Sequence, residues 1–473
     1  MQRGGQLEKF LEKVHPYVSF GSQTSKQVLA LTRHSAASRG VLAFSFFLAS
    51  WWVAACRHTP AEPVSIAFID PEWSHDVSAR KELMDTALRE FTKETGIQVH
   101  HLPAPEAVAE QLKLANQLLD RGTADVYAID VVWPGLLNDK LLDLRTIFAT
   151  EMAAEDPELL SNFSIQNRLV AVPFHTNVGV LYYRSDLLRE YGFQKPPKTW
   201  DELEKMAARI QAGERAKGNR DFWGYFWSAA PSEGLTCDAL EWQSSEGGGH
   251  IIEPDGKISV NNPHTIRSWE RAASWIGRIS PPATLSYQEW DAINAFRYMK
   301  KGAFLRGWTS DYFLGNPVMD TAVVGHEGVT AMPGGAYSRA GAMGGFGLAI
   351  ARNTTHQTEA VQLIKFLLRK ESQSDEIRRN SHPAGEVEMV DLPAILKAYS
   401  DAPQSAEKRL ASVVARPSTV TAEKYDKVSR AYFQEVYSVL SGKTKANVAA
   451  SNLEKELVEI TGFPVGSPSA NQN

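Results

Sequence analysis

Acidic side chains follow two apolar segments of this chain, at positions where a sheet-based protein could carry out chemistry. Glu72 comes shortly after the run Val64–Ile69, and Asp130 lies near the end of the run Ala124–Val132. Both runs have the composition of buried strands, and open α/β sheets bind ligands at the carboxyl ends of their strands. Two carboxylates about 5 Å or about 6.5–9.5 Å apart can hydrolyse a glycosidic bond. Carboxylates can equally bind hydroxyl groups, so both chemistries are open at this point.

Motifs for other chemistries are missing from the sequence. No HExxH, CxxC or GxSxG occurs, and Gly442–Thr444 ends like a phosphate-binding loop but has Tyr437 where the first glycine belongs. The pair His100–His101 falls in a predicted strand, where neighbouring side chains point to opposite faces, so we expect no metal site. We therefore favour a binding protein without a cofactor and keep a glycoside hydrolase as the alternative.

Strands and helices alternate in the segments that would position these residues. After the first strand we expect an amphipathic helix at Lys81–Thr95, a strand at Ile97–His101 and a helix at Glu106–Leu119. This alternation predicts parallel βαβ units and hence an α/β fold. Further strands are predicted at Val170–Phe174, Gly179–Tyr183 and Gly344–Ala351, and further helices at Thr199–Ala212, His264–Ile279, Tyr287–Lys301, His356–Lys370 and Lys424–Ser441.

The composition is that of a protein with a buried core, and its charge is unevenly distributed. The 473 residues are 43% hydrophobic and 22% charged, and the net charge is −5. Two cysteines are too few for a disulfide scaffold, and the acidic balance argues against a nucleic-acid partner. Residues 1–55 contain six basic and two acidic residues, whereas the remainder carries a net charge of −9. A basic start before an acidic body indicates a targeting segment.

The basic start leads into an apolar segment that ends at a cysteine. Val41–Ala55 has fifteen residues without a charge, which is short for a membrane span but suits a signal peptide. Val53–Cys56 (VAAC) resembles the bacterial lipobox, whose cysteine receives lipid chains and becomes the new N-terminus. We expect residues 1–55 to be a lipoprotein signal peptide, Cys56 to be lipidated and 56–63 to be a tether. The protein would then be anchored to a bacterial membrane in the cell envelope, facing the periplasm or the exterior.

Several motifs resemble those of bacterial extracellular solute-binding proteins of the sugar type, and within them those of trehalose- and maltose-binding lipoproteins. The motifs are Pro173–Arg184 (PFHTNVGVLYYR), Glu233–Trp242 (EGLTCDALEW), Pro333–Gly335 (PGG), Gly344–Ile350 (GGFGLAI) and Arg416-Pro417. The resemblance implies the two-lobed periplasmic-binding-protein fold of the maltose-binding type (type II), which closes on its ligand at a hinge. It places the first lobe at 64–174 plus 346–383 and the second at 175–345 plus 384–464. Residues 465–473 would form a disordered tail.

The resemblance also implies a set of ligand-binding residues in a cleft between the lobes. A sugar needs planar aromatic groups for its C–H faces and charged or amide groups for its hydroxyls. The set is Glu72, Asp130, Asn177, Trp242, Trp308, Tyr312, Gly345, Phe346 and Arg416, with Trp73, Trp133 and Glu241 ranked lower. Each has a structural alternative: Asp130 can cap a turn, Arg416 can form a surface ion pair, and Trp308 can be a core residue. Ten tryptophans outside the signal peptide, more than a core needs, fit such a site weakly.

The sequence therefore predicts a non-catalytic lipoprotein that binds a disaccharide: trehalose, maltose or a related α-glucoside. We expect a monomer that delivers its ligand to the transmembrane subunits of an ABC importer. Two alternatives stay open: the same fold binding another sugar, a polyol or a polyol phosphate, and a glycoside hydrolase using Glu72 and Asp130. Asn177 stands where these relatives have Asp or Asn, so the ligand preference is also open.

Overall fold

The computed structural model describes most of the chain that follows the proposed signal peptide and tether. The described residues are 63–70, 77–102, 104–105, 108–155, 157–314, 326–369 and 413–468. The predicted lipidation site Cys56 and the candidates Glu72 and Trp73 lie outside them. Tyr312 lies on a short 3-10 helix, Thr309–Leu314, but its side chain is outside the described part.

The helices and strands alternate along the chain. The strands are β1 (Ser65–Ile69), β2 (Gln98–Leu102), β3 (Val126–Asp130), β4 (Ser164–Ile165), β5 (Arg168–Leu169), β6 (Val172–Arg184), β7 (Trp223–Phe226), β8 (Gly302–Trp308), β9 (Glu327–Ala331), β10 (Gly341–Ile350) and β11 (Val413–Val414). The helices are α1 (Val77–Thr95), α2 (Val108–Arg121), α3 (Pro134–Leu137), α4 (Pro157–Asn162), α5 (Ser185–Glu190), α6 (Trp200–Ala216), α7 (Glu233–Ser245), α8 (Pro263–Trp275), α9 (Glu289–Ile293), α10 (Gln357–Leu367), α11 (Ser418–Thr421), α12 (Tyr425–Leu440) and α13 (Ala446–Thr461).

Nine of the described strands form one mixed sheet. Its order is β2-β1-β3-β10-β6-β8-β7, with β11 beside β10 and β9 beside β6. β1 pairs in parallel with β2 and with β3, which confirms the predicted βαβ units. β10 runs antiparallel to β3 and to β6. The predicted α/β class is therefore confirmed.

The two longest strands, β6 and β10, connect two hydrophobic cores. β6 pairs with β10 up to Val178, and from Gly179 onward it pairs with β8 and β9. One core takes residues from 66–172 and 348–367 together with Tyr425. The other takes residues from 178–340 and 414–457. The two-lobed architecture is confirmed, whereas the predicted lobe boundaries stay predictions because residues 370–412 lie outside the description.

The core of the second lobe accounts for much of the tryptophan content. Trp200, Trp227, Trp242, Trp269 and Trp275 are all fully buried there. Trp242 packs edge to face against Trp227 and Trp275, with ring centroids 4.9 and 5.6 Å away. Its ring is 1% exposed and therefore has no face open to a ligand. The tryptophan count therefore reflects packing in this lobe.

Two sequence expectations about helices and strands need correction, and one helix was not predicted. The strands predicted at Val170–Phe174 and Gly179–Tyr183 are one strand, β6, because pairing with β10 continues through the polar residues 175–177. The helix predicted at Tyr287–Lys301 is α9 followed by a π-helical turn, Asn294–Tyr298. The helix α7 was not predicted because its residues from Leu235 to Ser245 are all buried, which removes the amphipathic pattern.

The C-terminal residues continue beyond the last helix and pair with the second lobe. The N–H of Ile258 donates to the carbonyl of Pro464, and the N–H of Gly466 donates to the carbonyl of Ile258, both over 2.9 Å. The first part of the predicted disordered tail is therefore held by backbone hydrogen bonds. Residues 469–473 lie outside the described part.

Candidate ligand-binding site

Asp130 lies at the end of β3, where the first lobe meets the second. The residue is 7% exposed, and its Oδ1 accepts a hydrogen bond from the N–H of Val132 over 3.0 Å. Burial raises the pKa of this carboxyl to about 6, although the positive charge of Arg416 and the hydrogen bond from Val132 lower it. Asp130 therefore caps a turn, and it also presents a buried carboxylate at the junction of the lobes.

Arg416 brings a buried guanidinium to the same junction from the side of the second lobe. Its Nη2 is 3.8 Å from Oδ1 of Asp130 and donates to the carbonyl of Met343 over 3.1 Å. Its Nη1 donates to Oε1 of Glu233 over 2.7 Å. The Nε atom is buried and has no hydrogen-bond partner within the described residues. A buried donor without a partner is costly unless a ligand or water completes it, so Arg416 has one donor left for such a molecule.

Glu233, the first residue of α7, holds Arg416 in this position. Its Oε1 accepts hydrogen bonds from Arg416 and from the hydroxyl of Tyr425, and its Oε2 accepts one from Ser429 over 2.6 Å. The charge on Glu233 also contributes to the raised pKa of Asp130, after burial and against Arg416. Three donors on one carboxylate fix the guanidinium before any ligand arrives, which reduces the entropy lost on binding.

Trp308 ends β8 and lies beside the junction, partly buried. Its backbone N–H donates to Oδ2 of Asp311 over 2.6 Å, and its indole Nε1 donates to Oε1 of Glu289 over 2.7 Å. The guanidinium of Arg306 lies over the ring, 4.1 Å from its centroid. On β10, a Cβ added to Gly344 would be 2.7 Å from Cζ3 of the indole, so this close approach requires glycine. The ring is therefore fixed next to the strand that joins the lobes.

Gly345 and Phe346 form an irregular part of β10 next to Asp130. Gly345 has a φ of +119°, and a Cβ there would lie 2.0 Å from the carbonyl oxygen of His175, so only glycine fits. Its carbonyl accepts a hydrogen bond from Val131 over 3.1 Å. Phe346 pairs with Asp130 across the strands, is 5% exposed, and is followed by a bulge in the pairing with β6. The bulge bends the strand at the point where it passes from one lobe to the other.

Asn177 lies on β6, opposite Gly344 in the strand register, and is partly buried. The next residue, Val178, donates its N–H to the hydroxyl of Thr309 over 3.2 Å. Because Gly344 in turn contacts Trp308, the strand pairing brings Asn177 to the same region as the aromatic ring. The structure thus gathers Asp130, Arg416 and Phe346 at the junction, with Asn177 and Trp308 beside them.

Other candidates from the sequence lie within the protein interior. Glu241 is fully buried, and it binds Nη2 of Arg306 over 2.7 Å and the N–H of Ala342 over 2.9 Å. Asp238 lies 2.8 Å from Nε of the same arginine. Trp133 is 3% exposed and packs in the first core. Glu241 and Trp133 have structural roles here, as Trp242 does.

Sequence reasoning missed two acidic residues and one arginine around the site. Glu233 stands in a quoted motif, but it was given no role because its partners Tyr425 and Ser429 are about 190 residues away. Glu289 reaches Trp308 from another element, 19 residues away along the chain. Arg306 lies two residues before Trp308 on β8, so its contact with the ring is local. A glutamate in the first turn of a helix is an ordinary signal for helix stability, so nothing local marks Glu233 or Glu289 as site residues.

The site can bind an uncharged molecule with many hydroxyl groups. Carboxylates accept, the guanidinium donates, and the rings of Trp308 and Phe346 can cover apolar faces. In the described ranges, no group of three or more His, Cys, Asp or Glu side chains is arranged to hold a metal ion. Among the described helices, none is both long and apolar enough to span a membrane.

Comparison with known proteins finds a matching family and a related transport protein. The family described as bacterial extracellular solute-binding protein matches residues 73–374. A probable ABC transporter-binding protein of Deinococcus radiodurans is 39% identical over 376 residues, which cover 79% of this chain and 89% of that protein.

Solved structures agree with the two-lobed architecture. Maltose-bound MalE3 of Thermotoga maritima has 28% identity and a TM-score of 0.70, and the match covers 84% of this chain and all (100%) of that chain. An ABC transporter solute-binding protein of Thermotoga lettingae, bound to α-D-tagatose, has 19% identity and a TM-score of 0.69, covering 83% and 100% of the two chains. The second likeness concerns the fold alone.

Proposed function

Because the chain belongs to the bacterial extracellular solute-binding protein family, we propose that it binds a disaccharide between its lobes, namely trehalose, maltose or a related α-glucoside. The observation that carries the proposal is the pair of Asp130 and Arg416, a buried carboxylate and a buried guanidinium 3.8 Å apart at the junction. The maltose bound to a similar protein supports a sugar as ligand.

The chemistry of the site suits a neutral sugar. The carboxylate of Asp130 accepts hydrogen bonds from sugar hydroxyls, and the guanidinium of Arg416 donates to their oxygens. Trp308, Phe346 and Asn177 complete the site, with Gly345 allowing the backbone to come close. Hydrogen bonds to charged groups contribute about 1.5–3 kcal/mol each when the site is dry.

Closure of the lobes would couple binding to transport. Asp130 belongs to the first lobe, whereas Glu233 and Trp308 belong to the second, so one ligand can contact both lobes only when they are closed. Differential contacts of this kind shift the population toward the closed form. The closed, monomeric protein would then deliver its ligand to the transmembrane subunits of an ABC importer.

The protein would act outside the cytoplasmic membrane as a lipoprotein, held by lipid on Cys56. Residues 1–55 have the basic, apolar and small-residue order of a lipoprotein signal peptide. Two or three acyl chains suffice to hold such a protein at a membrane, since each buried CH₂ contributes about 0.8 kcal/mol.

We also propose that the protein does not catalyse a reaction on its ligand. A hydrolase would need a second carboxylate across the glycosidic bond from Asp130. Glu233, near Asp130, is already occupied by three donors. Incubation with trehalose and maltose followed by a glucose assay separates the two functions, because release of glucose by the purified protein contradicts a pure binding role.

The direct test is thermal-shift screening followed by calorimetry, with trehalose, maltose, sucrose, mannitol and free glucose as ligands. We expect binding to at least one of the α-glucosides trehalose and maltose, and loss of that binding in Asp130→Ala and Arg416→Ala. Stabilisation by mannitol or glucose alone would show that the same fold serves another solute. Unchanged affinity in both variants would remove this pair from the site.

A further inference from the structure

Glu289 is an acidic residue beside the site to which the sequence assigned no role. It is the first residue of α9, and its Oε1 accepts the indole Nε1–H of Trp308 over 2.7 Å. The same oxygen lies 3.8 Å from Nη1 of Arg306. The neighbouring carboxylates of Asp238 and Glu241 are 0% exposed, whereas the side chain of Glu289 keeps 41% of its exposure. Glu289 can therefore reach both the aromatic ring and a molecule arriving from solvent.

The contact with Glu289 fixes the orientation of the aromatic ring. Trp308 has Arg306 over its ring and Gly344 close to its six-membered ring. The hydrogen bond from Nε1 sets the remaining rotation of the indole, since an indole has a single donor. A sugar stacked on this ring would bring its hydroxyl groups to the level of the ring edge, where the Glu289 carboxylate lies.

The charge of Glu289 reaches across the junction to Asp130. After burial, which is the main cause, the charge on Glu289 contributes to the raised pKa of Asp130 in the first lobe and of Asp311 in the second. Arg306 faces both Glu241 and Asp238, and Arg416 binds Glu233. The junction therefore has more acidic than basic side chains around Nε of Arg416, a buried donor without a hydrogen-bond partner in the described part of the chain.

We propose that Glu289 is a further ligand-binding and specificity-determining residue, which binds a hydroxyl group of a sugar stacked on Trp308 and excludes phosphorylated sugars. The inference rests on the proposed function, because it concerns the same site. A carboxylate accepts hydrogen bonds from neutral hydroxyls and repels a phosphate, and like charges brought together at a binding surface suppress the wrong partner. The site would thus select its ligand by charge as well as by shape.

Calorimetric titration of the full protein with trehalose, maltose and trehalose 6-phosphate tests this inference. Glu289→Ala is expected to weaken binding of the preferred neutral disaccharide about tenfold or more, as for loss of a partly exposed charged hydrogen bond. Glu289→Gln keeps an oxygen that can accept from Trp308, so the ring should stay in place. We expect Glu289→Gln to bind the neutral sugar more tightly than Glu289→Ala does, and to bind trehalose 6-phosphate about tenfold more tightly than the wild type does.

The matched control is Glu359→Gln, which changes another partly buried glutamate in the first turn of a helix, α10. It should leave both affinities unchanged. Should Glu289→Gln behave like this control for both the neutral sugar and the phosphate, the inference is wrong while sugar binding by the wild type still supports the proposed function. Preference of the wild type for trehalose 6-phosphate also contradicts it. A wild type that binds none of the three ligands contradicts the proposed function and this inference together.

Discussion

Replacing Asp130 with asparagine should make the ligand-free protein more stable and the ligand-bound complex weaker. The carboxyl is 7% exposed, and burial raises its pKa from 3.8 to about 6 in the folded protein. The folded state therefore holds the proton more tightly than the unfolded state does. The stabilisation of the folded state by this proton is fully present below pH 3.8 and is lost as the pH rises to about 6. The charged form of Asp130 at neutral pH therefore destabilises the fold.

The size of the change in unfolding free energy follows from the shift in the pKa of Asp130. A shift of about two pKa units corresponds to about 3 kcal/mol. Asparagine has nearly the same shape, cannot ionise, and can still accept the hydrogen bond from Val132. The difference in unfolding free energy between Asp130→Asn and the wild type should therefore grow by about 3 kcal/mol between pH 4 and pH 8, in favour of the variant. The sugar affinity of Asp130→Asn at pH 7 should be at least about tenfold lower than that of the wild type, because a charged acceptor is lost.

Urea unfolding of the ligand-free protein, followed by tryptophan fluorescence across this pH range, measures the first effect, and calorimetry measures the second. The two lobes can unfold separately, so the transition of the first lobe should be fitted on its own. Asp139→Asn serves as the control, since Asp139 is exposed on the turn that follows α3. A difference in unfolding free energy between Asp130→Asn and the wild type that does not change with pH would show that burial does not raise the pKa of Asp130. A gain in stability without a loss of affinity would instead make Asp130 a structural cap only.

Three further changes have expected outcomes that separate structural from ligand-binding roles. Gly344→Ala places a Cβ 2.7 Å from the indole of Trp308, so we expect a shifted tryptophan emission and weaker sugar binding; an unchanged emission with unchanged binding would contradict the proposed position of the ring. Trp242→Phe should lower the unfolding free energy by about 1–3 kcal/mol without changing sugar affinity. Trp308→Phe should instead lower sugar affinity without changing the unfolding free energy, and sugar titrations and urea unfolding of both variants measure these effects. Cys56→Ala should abolish labelling by palmitate in a bacterial host, and label that persists in this variant would contradict lipidation.

The regular parts of the fold could be predicted because the local pattern and the tertiary structure agree. Alternating apolar strands and amphipathic helices indicated the βαβ units around β1, β2 and β3. The helix predicted from Thr199 does start there, because the side chain of Thr199 accepts from the N–H of Glu202 over 3.2 Å and caps α6. Local patterns failed where long-range pairing decides the outcome, as for β6, or where burial on all sides hides the periodicity, as for α7.

The candidate site shows the same division. Asp130 and Arg416 were found from strand position and resemblance, and the structure brings them together. The resemblance proposed Trp242 for the ligand, and a tryptophan suits a sugar. A tryptophan packed in a core is the same residue type, and the sequence gives no distances that would separate the two. Glu233 and Glu289 became visible only once distant segments were folded against them, since their partners are separated from them by many residues.

A calorimetric titration of the purified protein with trehalose and maltose, repeated for Arg416→Ala, is the decisive test of an interlobe disaccharide site. We expect saturable binding of at least one of the two sugars, near one sugar per protein, and a binding free energy weaker by about 2–3 kcal/mol in the variant because a buried donor to the ligand is removed. Absence of binding to both sugars, or equal affinity of the wild type and Arg416→Ala, would contradict an interlobe disaccharide site built on Asp130 and Arg416.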